Sequence, residues 1–560
     1  MAPSLLKLKK PTLGRLGAMF ALLLILTGCT TTSCLTNLQP WPDPSGRHIN
    51  LQQCWDKSDQ VRFYTTNQGS QIAPYDLIKH LEMPNSTDKF FTRTNFERWR
   101  FLTLEQTDRD QDSDVDHDLQ DWPLGFAINS IQSGKEVWRG EWLGVTCAAC
   151  HTTQIEYQEK KIRIDGAPSM ADVNQFLWDL QAALRATYED GVKNGDKFKR
   201  YAANFPREWD KALLERLGHV VIERDMWHNR NNPPTPPGFA RLDAVGLIFN
   251  QMIFMSDTQP VGTPKNDAPV SFPFLWDTSH HNQTQWDGVS PAIPMVRNAV
   301  QGIGAFAEYD PDAGWFDDPS TIQLDNQRAL QKLVSKLRSP TWPEDILGTI
   351  DREKAQKGED VFKKKCVGCH AEQERTEPLK YIEMTMTPVK ELKTDSNMVD
   401  NADHRQLRKA DGTEELVAVA AGPVVKDIAL SWSHIADSLA FIKETITAFF
   451  RWGSDFGRKD FGDRYKGRPL DGIWATAPYL HNGSVPNLYQ LLVPSERKSF
   501  YVGSRQFDPE HVGFIEDGTS GTWLDTNIPG NLNTGHDDTI YGGPLPTDEV
   551  WQLIEYMKSL

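Results

Sequence analysis

The sequence predicts a mainly α protein built in two halves, and three observations carry that reading. Apolar residues recur at helical spacing along Val173, Phe176, Leu177, Leu180 and Leu184, along Leu439, Ile442, Ile446 and Phe449, and along Val550, Leu553, Ile554 and Met557. Strand-like alternation is scarce. One short cysteine–histidine motif occurs twice, at 147–151 and 366–370. The chain has 560 residues, 39% apolar and 24% charged, a globular composition long enough for more than one core. Its seven cysteines are too few for a disulfide-dense scaffold, so each thiol needs its own reason.

At the N-terminus, Lys7, Lys9, Lys10 and Arg15 precede an uncharged run from Leu16 to Gly28. That run is shorter than the ~20 residues of a bilayer-crossing helix. A basic start, a short apolar stretch and small residues predict a secretory leader over residues 1–28. Leu26-Thr27-Gly28-Cys29 resembles the lipobox of bacterial lipoproteins, which implies acylation of Cys29; an ordinary leader ending near a cysteine is the alternative. Thr30 stands where inner-membrane lipoproteins carry Asp. The expectation is an exported, periplasmic lipoprotein held at the outer membrane by its lipid anchor only. Loss of four basic and no acidic side chains takes the net charge from −16 to −20, which argues against a nucleic-acid partner. Export also permits a Cys34–Cys54 disulfide, although nothing in the sequence shows that the two thiols meet.

Residues 29–119 read as a tether and an N-terminal wrap. Within the acidic run 108–121, Asp110, Asp112, Asp114, Asp116 and Asp121 fall at positions 1, 3, 5, 7 and 12 of a calcium loop. Val115 occupies the position where that turn wants Gly, and Asp121 replaces the usual Glu. Bound Ca²⁺ and a solvated acidic loop both remain open. A helix is expected over 169–188, and the proline-rich stretch Asn231–Gly238 must be a loop. The terminal apolar pattern predicts a last helix with Thr547 as N-cap and Asp548 and Glu549 in its first turn.

Cys147-Ala148-Ala149-Cys150-His151 and Cys366-Val367-Gly368-Cys369-His370 both match C-x-x-C-H. Two thiols three apart on a turn can add to the vinyl groups of one haem, and the next residue then lies against the iron. A redox dithiol does not need that histidine, and the two pairs are too far apart for a zinc ribbon. The expectation is two covalently bound c-type haems, on Cys147 and Cys150 and on Cys366 and Cys369, with His151 and His370 as iron ligands. The stretch Gly358–Lys365 resembles the first helix of class I cytochrome c domains, and the terminal helix is its expected packing partner. This gives two cytochrome c-like haem domains with long loops and insertions, at 120–340 and 345–560.

Two such motifs with Gln285-Trp286-Asp287-Gly288 between them resemble the bacterial di-haem cytochrome c peroxidase superfamily, which includes the di-haem enzyme that matures methylamine dehydrogenase. Residues Ala475–Pro486 match its second-domain signature. Ile162–Ala167, Tyr501–Asp508 and Asn533–His536 are more similar to the haem-dependent rubber-oxygenase branch. The likeness covers roughly residues 120–560. It implies an open, reactive first haem on His151 and an electron-storing second haem on His370. It places the sixth ligand of the second haem at His536, with His481, Met384 and Met386 as competitors. Trp286 matches a tryptophan that assists electron transfer between the haems; a plain core tryptophan is the bland reading. Glu308 and Phe306 both belong to the segment expected on the distal side of the first haem. Glu308 suits proton shuttling between peroxide oxygens, and Phe306 suits an apolar pocket for O₂ and a hydrocarbon. His280-His281 reads as a polar loop, or else as a group closing the sixth site.

Three functions fit these residues. The first is peroxide reduction at the first haem, with electrons delivered by a small redox protein to the second haem and relayed through Trp286. The second is O₂-dependent cleavage of a hydrophobic polyene. The third is a non-enzymatic electron carrier with both irons six-coordinate.

Overall fold

The computed structural model describes residues 48–560 except 257, 263–265, 290–292, 314–317, 374–380, 430–462, 517, 519–520 and 538–542. The leader, Cys29, Cys34 and the helix expected through Leu439, Ile442, Ile446 and Phe449 lie outside the described residues. Cys54 is disulfide-bonded.

The mainly α expectation is corrected. Among the described residues helices take 39% and strands 17%, and the strands form small two- and three-stranded sheets. They escaped a sequence reading because they are short and often buried on both sides, which erases alternation. Thr152–Tyr157 pairs antiparallel with Lys160–Asp165, Thr152 opposite Asp165 and Tyr157 opposite Lys160. Its first four residues are all buried. Gln158 and Glu159 turn the hairpin, both at positive φ, as a two-residue turn of that twist requires.

The helices follow the predicted physics more closely. Helix α1 (Val173–Val192) starts at Asp172, whose carboxylate accepts from the Gln175 N–H at 2.9 Å, and it buries Val173, Phe176, Leu177, Leu180 and Leu184. Helix α2 (Asp210–Asn231) ends at the proline-rich loop. Helix α3 (Arg352–Lys365) is capped by Asp351 and carries Lys363, Lys364 and Lys365 in its last turn, where the helix dipole favours positive charge. Helix α4 (Thr547–Ser559) closes the chain; Thr547 is its first residue rather than its cap, and Asp548 and Glu549 occupy the first turn. Helices α3 and α4 pack directly, with Phe362 and Tyr556 rings 5.2 Å apart. Gly358 permits the close crossing, since a Cβ there would run into the Gln552 carbonyl. Burial of Val550, Leu553, Ile554 and Met557 stabilises the contact by roughly 1.5–3 kcal/mol each.

A clear two-domain cytochrome architecture is not what these residues build. One apolar core runs from Trp55 to Met557. A second joins Val245–Leu324 to Val389–Tyr465 and so crosses the expected boundary. The physical cause is a shared wall: Trp276 and Trp474 from opposite halves bury completely in the same core.

Candidate functional site

Cys366 ends α3, and the chain folds back so that the N–H groups of Cys369 and His370 both reach its carbonyl, at 3.0 and 2.8 Å. The strand Arg464–Gly467, paired with Thr385–Pro388, closes over this turn. Gly467 is required there, because a side chain would strike the Cys369 carbonyl. The Arg468 carbonyl accepts from His370 Nδ1 at 2.7 Å. That bond orients the ring, and burial lowers its pKa, so the imidazole stays neutral with a lone pair on Nε2.

Cys366, Cys369 and His370 line a cavity whose other walls include Trp286, His481 and His536. His536 sits at positive φ after Gly535, on a loop clamped by Arg497, which donates to the Asn533 and Gly535 carbonyls at 2.6 and 2.7 Å. The His370 and His536 rings stand 6.3 Å apart between centres, 26° from parallel. Burial, then the neighbouring His370 and Arg497, pushes His536 down to about 3, again a neutral imidazole. His481 also faces the cavity, but its ring is stacked on Tyr465 at 4.2 Å. Neither Met384 nor Met386 lines the cavity, and the Met386 side chain lies against Gly288.

The first motif forms a similar turn. Its Cys147–Ala149 segment is capped by Thr146, whose hydroxyl accepts from the Ala148 N–H and donates to the Tyr64 carbonyl at 3.2 Å. The His151 N–H reaches the Cys147 carbonyl at 3.1 Å, and the His151 carbonyl accepts from Gly166 at 2.8 Å. A side chain at Gly125, which has φ +87°, would strike Ala149. Burial pushes His151 down to about 4, with the Pro273 carbonyl opposing and the Arg468 charge assisting.

Trp286 lines the cavity of the second turn. Its indole N–H donates to the Ser271 carbonyl at 3.0 Å, and its own carbonyl accepts from the Lys466 N–H at 2.9 Å. The residue after Ser271 is Phe272, which lines the cavity and meets the His151 ring edge-on at 6.3 Å. Arg468 went unnoticed in the sequence. Its backbone holds His370, while its guanidinium lies 3.7 Å from the Phe274 ring centre and 5.7 Å from that of Trp286. No motif flags such a residue, because its partners come from distant segments.

Phe306 and Glu308 gather around a different arginine. Phe306, at positive φ, packs on Trp227 at 5.2 Å, under the Arg224 guanidinium at 5.5 Å. Burial raises the Glu308 carboxyl to about 7, while Arg224 and Arg230 pull the other way. The pair His280-His281 is not a surface loop throughout. His281 is completely buried, with Arg468, Lys466 and Arg297 nearby.

The calcium loop is not assembled. Arg109 fills it, donating to the carbonyls of Leu104, Asp116, Leu119 and Gln120. Asp114 accepts from Asn67, Asp116 from Tyr75, and Asp121 pairs with Arg93. Among the described residues no three His, Cys, Asp or Glu side chains converge as a metal cage.

Free thiols on a tight turn, a fixed neutral histidine and an apolar cavity fit a covalently bound haem. Comparison with known proteins agrees. A family model described as RoxA-like, cytochrome c-like matches residues 464–502, the segment that supplies half of the cavity's lining residues. At this coarse level the match supports a haem cytochrome with a redox function. It is similar to "Uncharacterized protein y4iJ" of Sinorhizobium fredii, 30% identical over 571 residues, 91% of this chain and 93% of that protein. It is also similar to "Uncharacterized protein y4iM" of the same organism, 27% identical over 356 residues, 58% of this chain and 72% of that protein.

Proposed function

The chain belongs to one family with the Sinorhizobium fredii protein y4iJ, and from that premise we propose an exported, lipid-anchored di-haem oxidoreductase that reduces peroxide. The observation that carries the redox reading is Trp286, clamped by Ser271 and Lys466 in the wall of the cavity that holds His370 and His536. Haem iron supplies the one-electron chemistry when bound. Cys147, Cys150 and His151 would hold the first haem, and Cys366, Cys369, His370 and His536 the second. Trp286, bonded to the Ser271 carbonyl, and the next residue Phe272, whose ring meets His151, would form the relay between the two haems. Glu308, its carboxyl raised to about 7 by burial, serves as proton donor. Reduction of one H₂O₂ to two waters takes two electrons from a small redox protein and two protons.

A second reading has its own support. The aromatic pair Phe306 and Trp227 and the RoxA-like match favour an O₂-dependent oxygenase acting on a hydrophobic polyene. The test is the purified holoprotein with H₂O₂ and a reduced small cytochrome. Turnover that collapses in Trp286→Phe supports the relay. Aldehyde and ketone products from polyisoprene, without peroxide turnover, select the oxygenase. Spectra unaltered by peroxide, CO and O₂ exclude both.

A further inference from the structure

Lys466 and Arg468 are two residues apart on one extended run, so their side chains leave the same face. Both line the cavity of the second cysteine turn. They are 8% and 4% exposed. Among the described residues neither reaches a carboxylate. The Lys466 ammonium donates to the Gln283 carbonyl at 3.0 Å. The Arg468 guanidinium donates to the Phe274 carbonyl at 2.6 Å and the Thr278 hydroxyl at 3.1 Å, and its Nε is buried without a partner.

Among the described residues no acid touches either group: Asp287 acts on Lys466, and Asp277 with Asp471 on Arg468, by charge alone. Burial disfavours the charged form of every member of the set, lowering Lys466 and Arg468 and raising the three carboxyls. The geometry leaves a buried guanidinium with an unpartnered Nε beside a buried amine held by one carbonyl, both on one cavity wall, where an entering anion would complete their hydrogen bonds and favour their charged forms.

We infer that Lys466 and Arg468 form a carboxylate-binding pair that holds the propionate arms of the haem bound at Cys366 and Cys369. This rests on the haem reading of the cavity. Carboxylates are the anionic groups that a haem brings, and a guanidinium beside an ammonium matches them by charge-assisted hydrogen bonds. Paired with the propionates, the two side chains would offset their negative charge, which favours the reduced iron.

The experiment uses the full-length holoprotein. A haem count by pyridine haemochrome comes first, and a count of zero overturns the haem reading itself. With haem present, Lys466→Gln and Arg468→Gln each shift the second haem's reduction potential negative in a spectroelectrochemical titration, while Lys466→Arg and Arg468→Lys keep it near wild type. Potentials unchanged in both Gln variants overturn the pair. If the Gln variants lose haem, the wild type decides through its resonance Raman propionate bending bands. Bands that move in D₂O support N–H donors on the carboxylates, and bands that do not move overturn the assignment.

Discussion

The imidazole rings of His370 and His536 face one another across the cavity, 6.3 Å apart and 26° from parallel. One is held by the Arg468 carbonyl and the other by a loop that Arg497 clamps. Two independent anchors thus fix both rings in one cavity, where His370 and His536 would hold the second haem. His536→Ala should convert the second haem from low-spin to high-spin, read by EPR and visible spectra. Arg497→Met, which frees the loop, should give a mixture of the two. An unaltered His536→Ala spectrum assigns the sixth ligand elsewhere.

Gly125 and Gly467 back the two cysteine turns at close range. An added methyl must displace backbone in each case, at a cost of about 1–3 kcal/mol, and Gly125 also loses its accommodation of φ +87°. Gly125→Ala is expected to impair haem attachment at the first turn and Gly467→Ala at the second. Each variant should retain about half the wild-type haem by pyridine haemochrome.

Glu308 bears on pH dependence. Burial raises its carboxyl from 4.5 to about 7, so the folded protein retains a proton that the unfolded chain releases near 4.5. The resulting stability is full below 4.5 and is lost as pH rises through about 7. A protonated donor implies that peroxide turnover also falls above pH 7. Glu308→Gln should lower turnover by about a hundredfold or more and flatten the stability profile between pH 5 and 8. Urea denaturation and steady-state rates across that range check both limbs; turnover equal to wild type removes the acid assignment.

Arg109 joins Leu104, Asp116, Leu119 and Gln120 through their carbonyls. Charge-assisted bonds to half-buried carbonyls are worth about 1.5–3 kcal/mol in sum when their removal leaves acceptors unfilled. Arg109→Ala should destabilise the protein by roughly that amount in thermal melts. Added calcium or a chelator should leave the wild-type melting temperature unchanged. A calcium-dependent rise in the wild type would restore the loop as a metal site.

A haem-based redox character was legible from the two five-residue motifs, because attachment to a haem depends on local spacing, and the RoxA-like, cytochrome c-like match supports it at that coarse level. Helices α1, α3 and α4 were legible for the same reason: one buried stripe recurs every three or four residues. The expected N-cap at Thr547 missed by one position, since Pro546 sits at the boundary. The short strands gave no alternation to read, as Thr152–Tyr157 illustrates with four successive buried residues.

The cavity wall was beyond the reach of sequence. Ser271, Trp286, Cys369, Arg468 and His536 come from five separated segments, and only the packed chain decides that they meet. The burial of His281 and the capture of the acidic loop by Arg109 are of the same kind. Motifs record which atoms can bond a cofactor over a few residues of chain. Burial, charge balance and the partner across a cavity arise from contacts hundreds of residues apart, so folding alone decided where the two cations and the facing histidines would stand.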